Sequence, residues 1–100
     1  MALFRHGDVL VEEIRSIPSN AVKRSHLTLA EGELTGHSHR VAESNSAQLF
    51  ECNTQSYLHV FGPHATLVHE EHGPIVLATG YYRVWQQREY FPSEIRTVRD

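Results

Sequence analysis

Cysteine is almost missing from this chain: Cys52 stands alone, so no internal disulfide can form and nothing here points to an oxidising compartment. A single thiol of this kind reads as a small strand residue rather than as a nucleophile. Long apolar runs are missing too. The opening stretch Met1-Ala2-Leu3-Phe4-Arg5-His6-Gly7-Asp8 is interrupted by charge at once, so neither a signal peptide nor a membrane span is expected, and the cytoplasm is the expected location. A basic excess is missing as well. Nine Lys and Arg face twelve Asp and Glu, for a net charge of -3 and a pI near 6.2, which removes a nucleic-acid polyanion as the default partner. Protonation of some of the eight histidines would cancel that charge. Finally, no window of ten or more residues carries the i, i+3, i+4, i+7 apolar spacing of an amphipathic helix.

What remains is a chain of short apolar runs punctuated by turn residues. With 100 residues, 40% hydrophobic and 21% charged, it has enough material for one core, so residues 1–100 form one domain. Gly7-Asp8 opens a run from Val9 to Ile14, and Pro18-Ser19-Asn20 marks a loop. One helical turn would fit between Ser19 and Arg24. Leu27-Thr28-Leu29 alternates before a turn at Glu31-Gly32-Glu33, and Leu34 to Val41 follows. Polar turns bracket Gln48 to Cys52. Tyr57 to Phe61 is closed by Gly62-Pro63, and Ala65 to His69 comes next. Ile75-Val76-Leu77 and Thr79-Gly80 precede the long run Tyr81 to Tyr90, and Ile95 to Val98 offers a last strand. Short strands at such spacing predict an all-β fold, a single-domain small β-barrel or β-sandwich. The run from Tyr81 to Tyr90 has two mixed faces, and an unpaired edge of that length would invite another copy, so a homo-oligomer is expected.

Four histidines fall into two short segments, Gly36-His37-Ser38-His39 and His69-Glu70-Glu71-His72-Gly73-Pro74. His37 and His39 leave one face of a strand. His69 reads as the end of a strand and His72 as part of the turn that Gly73-Pro74 closes. Neutral imidazole is the commonest transition-metal ligand and also titrates near pH 7. One reading is therefore a divalent transition metal held by His37, His39, His69 and His72, with a carboxylate from Glu43, Glu70 or Glu71. His69, His72, Glu70 and Glu71 are the candidate catalytic groups, a glutamate acting as general base or holding an imidazole. Such a site would hydrolyse or oxidise a small substrate. The other histidines, His6, His26, His59 and His64, are isolated in sequence and carry no such expectation.

The segment Gly32-(x)4-His37-Ser38-His39-(x)3-Glu43 resembles the first metal motif of the cupin barrels, a glycine followed by HxH and a glutamate. The resemblance implies a cupin-like barrel in which His37, His39, Glu43 and a later histidine, His69 or His72, bind Zn, Fe, Mn or Ni. It covers the first motif; Gly62-Pro63-His64 is the sole trace of the second. Two other readings stand beside it. A neutral and a protonated histidine could cleave RNA without a metal, Arg40, Arg83 or Arg88 steadying the phosphate beside a basic patch of Lys23, Arg24 and Arg40. Alternatively, the histidines could bridge subunits through a structural metal, with no catalysis.

Overall fold

A computed structural model describes residues 2–31 and 36–87. Eight strands run through the described residues: β1 (Leu3–His6), β2 (Val9–Ile14), β3 (Val22–Lys23), β4 (Thr28–Glu31), β5 (Ser38–Val41), β6 (Ala47–Cys52), β7 (Gln55–Val68) and β8 (Ile75–Gln86). They make up 63% of those residues, and no helix occurs among them. The helical turn that would fit at 19–24 is absent: Ala21 N–H closes a turn on the Pro18 carbonyl, and Val22–Lys23 pairs with β6. The expected strand at Ile95–Val98, the outer end of the Tyr81–Tyr90 run, Arg88, and Gly32-Glu33-Leu34 lie outside the described residues.

All pairings are antiparallel. The path through the sheet is β1-β2-β8-β7-β5-β4, with β6 also on β7 and β3 on β6. β7 is the spine. One side pairs with β8 along most of its length; the other pairs first with β6, from Gln55 to Val60, and then with β5 at Leu67 and Val68. The sheet is not closed into a barrel among the described residues, so the fold is all-β, a single antiparallel sheet.

Two expected breaks are not breaks. Gly62-Pro63 and Thr79-Gly80 lie inside continuous strands, facing each other where the β7–β8 register shifts between Val60 and His64. The buried positions change phase there. Leu58 and Val60 face the core above the shift, Ala65 and Leu67 below it, while β8 goes from Leu77 to Tyr82 and Val84. Turn chemistry thus became a corner: Pro63 has no N–H to lose from a ladder, and Phe61 and Gly62 donate theirs to the Ser46 carbonyl. Gly62 packs so closely on Ser46 that a Cβ would come within 2.6 Å of the serine Cβ.

A third expectation is also corrected. β8, which contains the first part of the Tyr81–Tyr90 run, is no edge: β2 and β7 flank it on both sides. One face, Tyr82 and Val84, is core, while Arg83 lies over the Trp85 ring on the other at 4.4 Å. The core alternates along every long strand, with Val9 and Val11, Ala47 and Leu49, Leu58 and Val60 all nearly inaccessible, the period-two burial of a half-covered sheet.

Candidate metal centre

Three chain segments meet at one end of the sheet. The first is the β1–β2 hairpin, whose two-residue loop is Gly7-Asp8 because His6 pairs with Val9. Gly7 has φ +65°, and Asp8 is not among the positive-φ residues; this is the pattern of a type II′ turn, which wants glycine first. The second segment is the entry to β5, carrying His37 and His39. The third is the exit of β7, residues His69 to Gly73. Pairing of Arg40 with Val68 sets His39 beside His69. Glu70 ties the exit to β5: it accepts the Ser38 N–H at 3.0 Å and an Arg40 guanidinium N–H at 3.0 Å. Those bonds hold the Glu70 carboxyl below its usual range, the Ser38 amide more than the arginine.

The structure brings His37, His39, His69 and His72 together. Ring centroids are 4.3 Å apart for His39 and His69, 4.6 Å for His69 and His72, 5.7 Å for His39 and His72, and 5.5 Å for His37 and His69. One nitrogen each of His39, His69 and His72 lies within 4.8 Å of the other two. A second, more exposed grouping of the same closeness joins His37, His69 and Glu70. The rings line a pocket of about 200 Å³ together with Asp8, Glu31, Glu71 and Gln86.

Electrostatics keep the inner rings neutral. His39, 5% exposed, has its pKa lowered to about 4, first by burial and then by His69 and His6, with Asp8 opposing. His69 is lowered in the same way, by burial and then by His72. Neutral imidazoles have a lone pair to give, which is the form a metal takes.

Residues 5–87 match the family described as Domain of unknown function (DUF8820). The chain belongs to that family. The matched span includes every residue of the site, from His6 to Gln86. Comparison with curated proteins and with solved structures gave no match.

One predicted ligand of this family member is elsewhere. Both carboxylate oxygens of Glu43 are taken by Thr66, Oε1 accepting its N–H and Oε2 its hydroxyl, each at 2.7 Å, and His64 Nε2 lies 3.4 Å from Oε2. Glu43 belongs to neither of the two close groupings. Its place two residues beyond the end of β5 carries it along the strand, away from His39, to cap the β7 backbone instead. Glu71, a candidate base, is exposed, with its carboxylate 3.7 Å from His37 Nδ1.

Sequence reasoning missed His6, Gly7 and Asp8. His6 is 2% exposed, and its Nδ1 lies 3.0 Å from His39 Nδ1. Gly7 packs against the rings: a Cβ there would lie 2.8 Å from His39 Cε1 and 2.8 Å from His72 Nε2. The signal was present, since Gly-Asp between two alternating runs is a two-residue hairpin loop. Reading Gly7-Asp8 only as the start of a strand hid β1 and the histidine at its end.

Proposed function

We propose that this chain binds one divalent transition metal ion at His39, His69 and His72 and uses it to hydrolyse or oxidise a small polar substrate. The observation that carries the reading is the mutual closeness of three imidazole nitrogens, within 4.8 Å of one another, with His39 and His69 held below the usual histidine range first by burial. A metal held there would supply Lewis-acid polarisation of a bound carbonyl or phosphoryl oxygen, or a redox centre if it is iron. The chain's own groups do the rest. His37 and the exposed Glu71 stand at the pocket's mouth, where a carboxylate and an imidazole 3.7 Å apart can take up and pass on a proton. Glu70 is spent on Ser38 and Arg40 and fixes the backbone rather than reacting. The reading does not depend on the cupin resemblance, whose glutamate, Glu43, is committed to Thr66.

His69 imposes a condition. Its Nδ1 accepts the Glu71 N–H at 3.0 Å, so in the neutral ring the proton sits on Nε2. To ligate through Nδ1, His69 must displace the Glu71 amide; to ligate through Nε2, its proton must leave or move to Nδ1, and movement to Nδ1 also displaces that amide. Amide NMR of the metal-free protein titrated with Zn²⁺ tests the reading. One equivalent should move the Glu71 amide resonance together with the His39 and His72 ring signals. Saturation without any change at residues 69–72 would place the metal elsewhere and end the proposal. RNA cleavage that survives a chelator would favour the metal-free acid–base alternative.

A further inference from the structure

We infer that the substrate of this pocket is a small molecule carrying an ammonium group, and that the carboxylates of Asp8, Glu31 and Glu71 turn anions away from it. The inference rests on the metal reading above and deepens it by naming the charge class that the site admits.

The lining is one-sided in charge. Asp8, Glu31 and Glu71 border the pocket with the four histidines and Gln86, and no lysine or arginine does so among the described residues. The three carboxylates come from separate segments, the β1–β2 turn, the end of β4 and the exit of β7, so the acidity does not belong to one local run of the chain. The arginines adjacent to the site histidines in sequence are engaged elsewhere. Arg40 Nη1 donates to the Ser38 carbonyl at 2.8 Å, to Ser38 Oγ at 3.1 Å and to Glu70 at 3.0 Å. Arg5 Nε donates to the Gly7 carbonyl at 3.3 Å. Arg40 and Glu70 thus offset each other, and the three lining carboxylates keep their excess.

A metal does not reverse the balance. A divalent ion on His39, His69 and His72 brings two positive charges against three carboxylates, so the loaded pocket stays net negative. A group reaching outward from the ion comes to the mouth, where Glu71 and Glu31 are both exposed. An anion there meets charge of its own sign in a partly enclosed space, where solvent screens less than at an open surface. An ammonium is attracted instead and has three hydrogens to donate to carboxylate oxygens. Asp8 is held in place for this. Gln86 Nε2 donates to its Oδ2 at 2.6 Å, and Gln87 N–H donates to its carbonyl at 2.7 Å. The same balance disfavours a phosphodiester, since Arg83 is paired with Glu12 at 2.7 Å, as Arg40 is with Glu70.

The test uses three probes that offer one pyridine nitrogen to an open position on bound Co²⁺ and differ in charge at the far side of the ring. They are 4-methylpyridine, 4-pyridylacetate and trimethyl(4-pyridylmethyl)ammonium, none of which can chelate through its substituent. The visible bands of Co²⁺-loaded wild type and of a Glu31→Gln, Glu71→Gln double variant report each affinity. Working at about pH 8 keeps histidine charge out of the comparison. Reading wild type against the variant cancels each probe's own basicity. The ratio of cation to anion affinity should be at least about 10-fold larger in wild type, while the neutral probe binds both proteins within about 2-fold. Added salt should shrink the difference. Both glutamates are exposed, so the variant should fold; Asp8→Asn, with a several-fold smaller ratio expected, serves if it does not. A ratio no larger in wild type than in the variant overturns the charge class, and normal Co²⁺ uptake then leaves the three-histidine reading standing. Bound Co²⁺ that takes none of the probes at millimolar concentration overturns it as well, because no position is then open to substrate. Wild type that takes up neither Co²⁺ nor Zn²⁺ sinks both.

Discussion

The end of the β7–β8 ladder and its middle use histidine in opposite ways. Where β7 leaves the sheet, five imidazoles crowd together, two of them buried. Farther along the ladder, His59 stacks on Tyr81 at 4.5 Å beside exposed Phe61, and half-exposed His64 lies against Glu43. The residue type is the same, yet only the first group brings several rings to one pocket. The same contrast holds for carboxylates. Glu43 has both oxygens satisfied by Thr66, whereas Asp8 has one clamped by Gln86 and one facing His39. What a carboxylate does is set by what its oxygens face, and sequence spacing does not report that.

The largest expected effect separates the two groups directly. His39→Ala should lower Zn²⁺ affinity by about 100-fold or more and abolish the thermal stabilisation that bound metal confers by mass action. The same change at His59 or at His26, whose Nδ1 accepts the Thr28 amide, should leave affinity unchanged. Calorimetric titration of the variants side by side checks this, and equal losses would erase the contrast.

Gly7→Ala comes next. The turn requires a positive φ, and the new Cβ would meet His39 and His72. An unfolding free energy lowered by about 1–2 kcal/mol or more in denaturant melts is expected, together with weaker metal binding. Gly36→Ala sharpens the comparison: φ is +75° there, but nothing lies within 4 Å, so the strain should appear without the loss of metal.

Glu43→Ala should destabilise the fold by about 1–3 kcal/mol, since two hydrogen bonds from Thr66 to a charged acceptor are lost. Metal affinity should not change. A Glu43→Ala variant that folds normally and loses metal would put the glutamate back in the site.

The smallest effect is a two-stage pH dependence of metal-free protein. His39 has a folded pKa of about 4 against an ordinary 6.5, and His69 is lowered in the same direction. The unfolded chain then binds more protons, so stability falls as pH drops from about 6.5 toward about 4 and this contribution levels off below. Glu43, held down by its Thr66 bonds, adds stability above its ordinary value of 4.5 that is lost as pH falls through its lower folded value. Thermal melts across this range should show the first decline flattened in His39→Gln and the second in Glu43→Gln.

Much of the fold was readable because a half-buried sheet writes its pattern locally: Leu58-His59-Val60 alternates in sequence as its burial does. Glycine and proline were harder. Gly62-Pro63 has the chemistry of a turn, and whether it ends a strand or bends one depends on Ser46, distant in sequence, accepting the stranded amides. The site was readable where ligands cluster in sequence, at His37-Ser38-His39 and His69 to His72. The surroundings that a hairpin delivers were hidden, because His6 and Asp8 come to His39 only once β1 has folded back on β2.

The most direct measurement is the metal content of the protein purified without an affinity tag, by elemental analysis of wild type beside a His39→Ala, His72→Ala double variant. The account predicts close to one equivalent of a transition metal per chain in wild type, removed by chelator and restored on addition, and almost none in the variant. Wild type without metal that also fails to take up Zn²⁺, Fe²⁺, Mn²⁺ or Ni²⁺, or a folded double variant that retains a full equivalent, would contradict it.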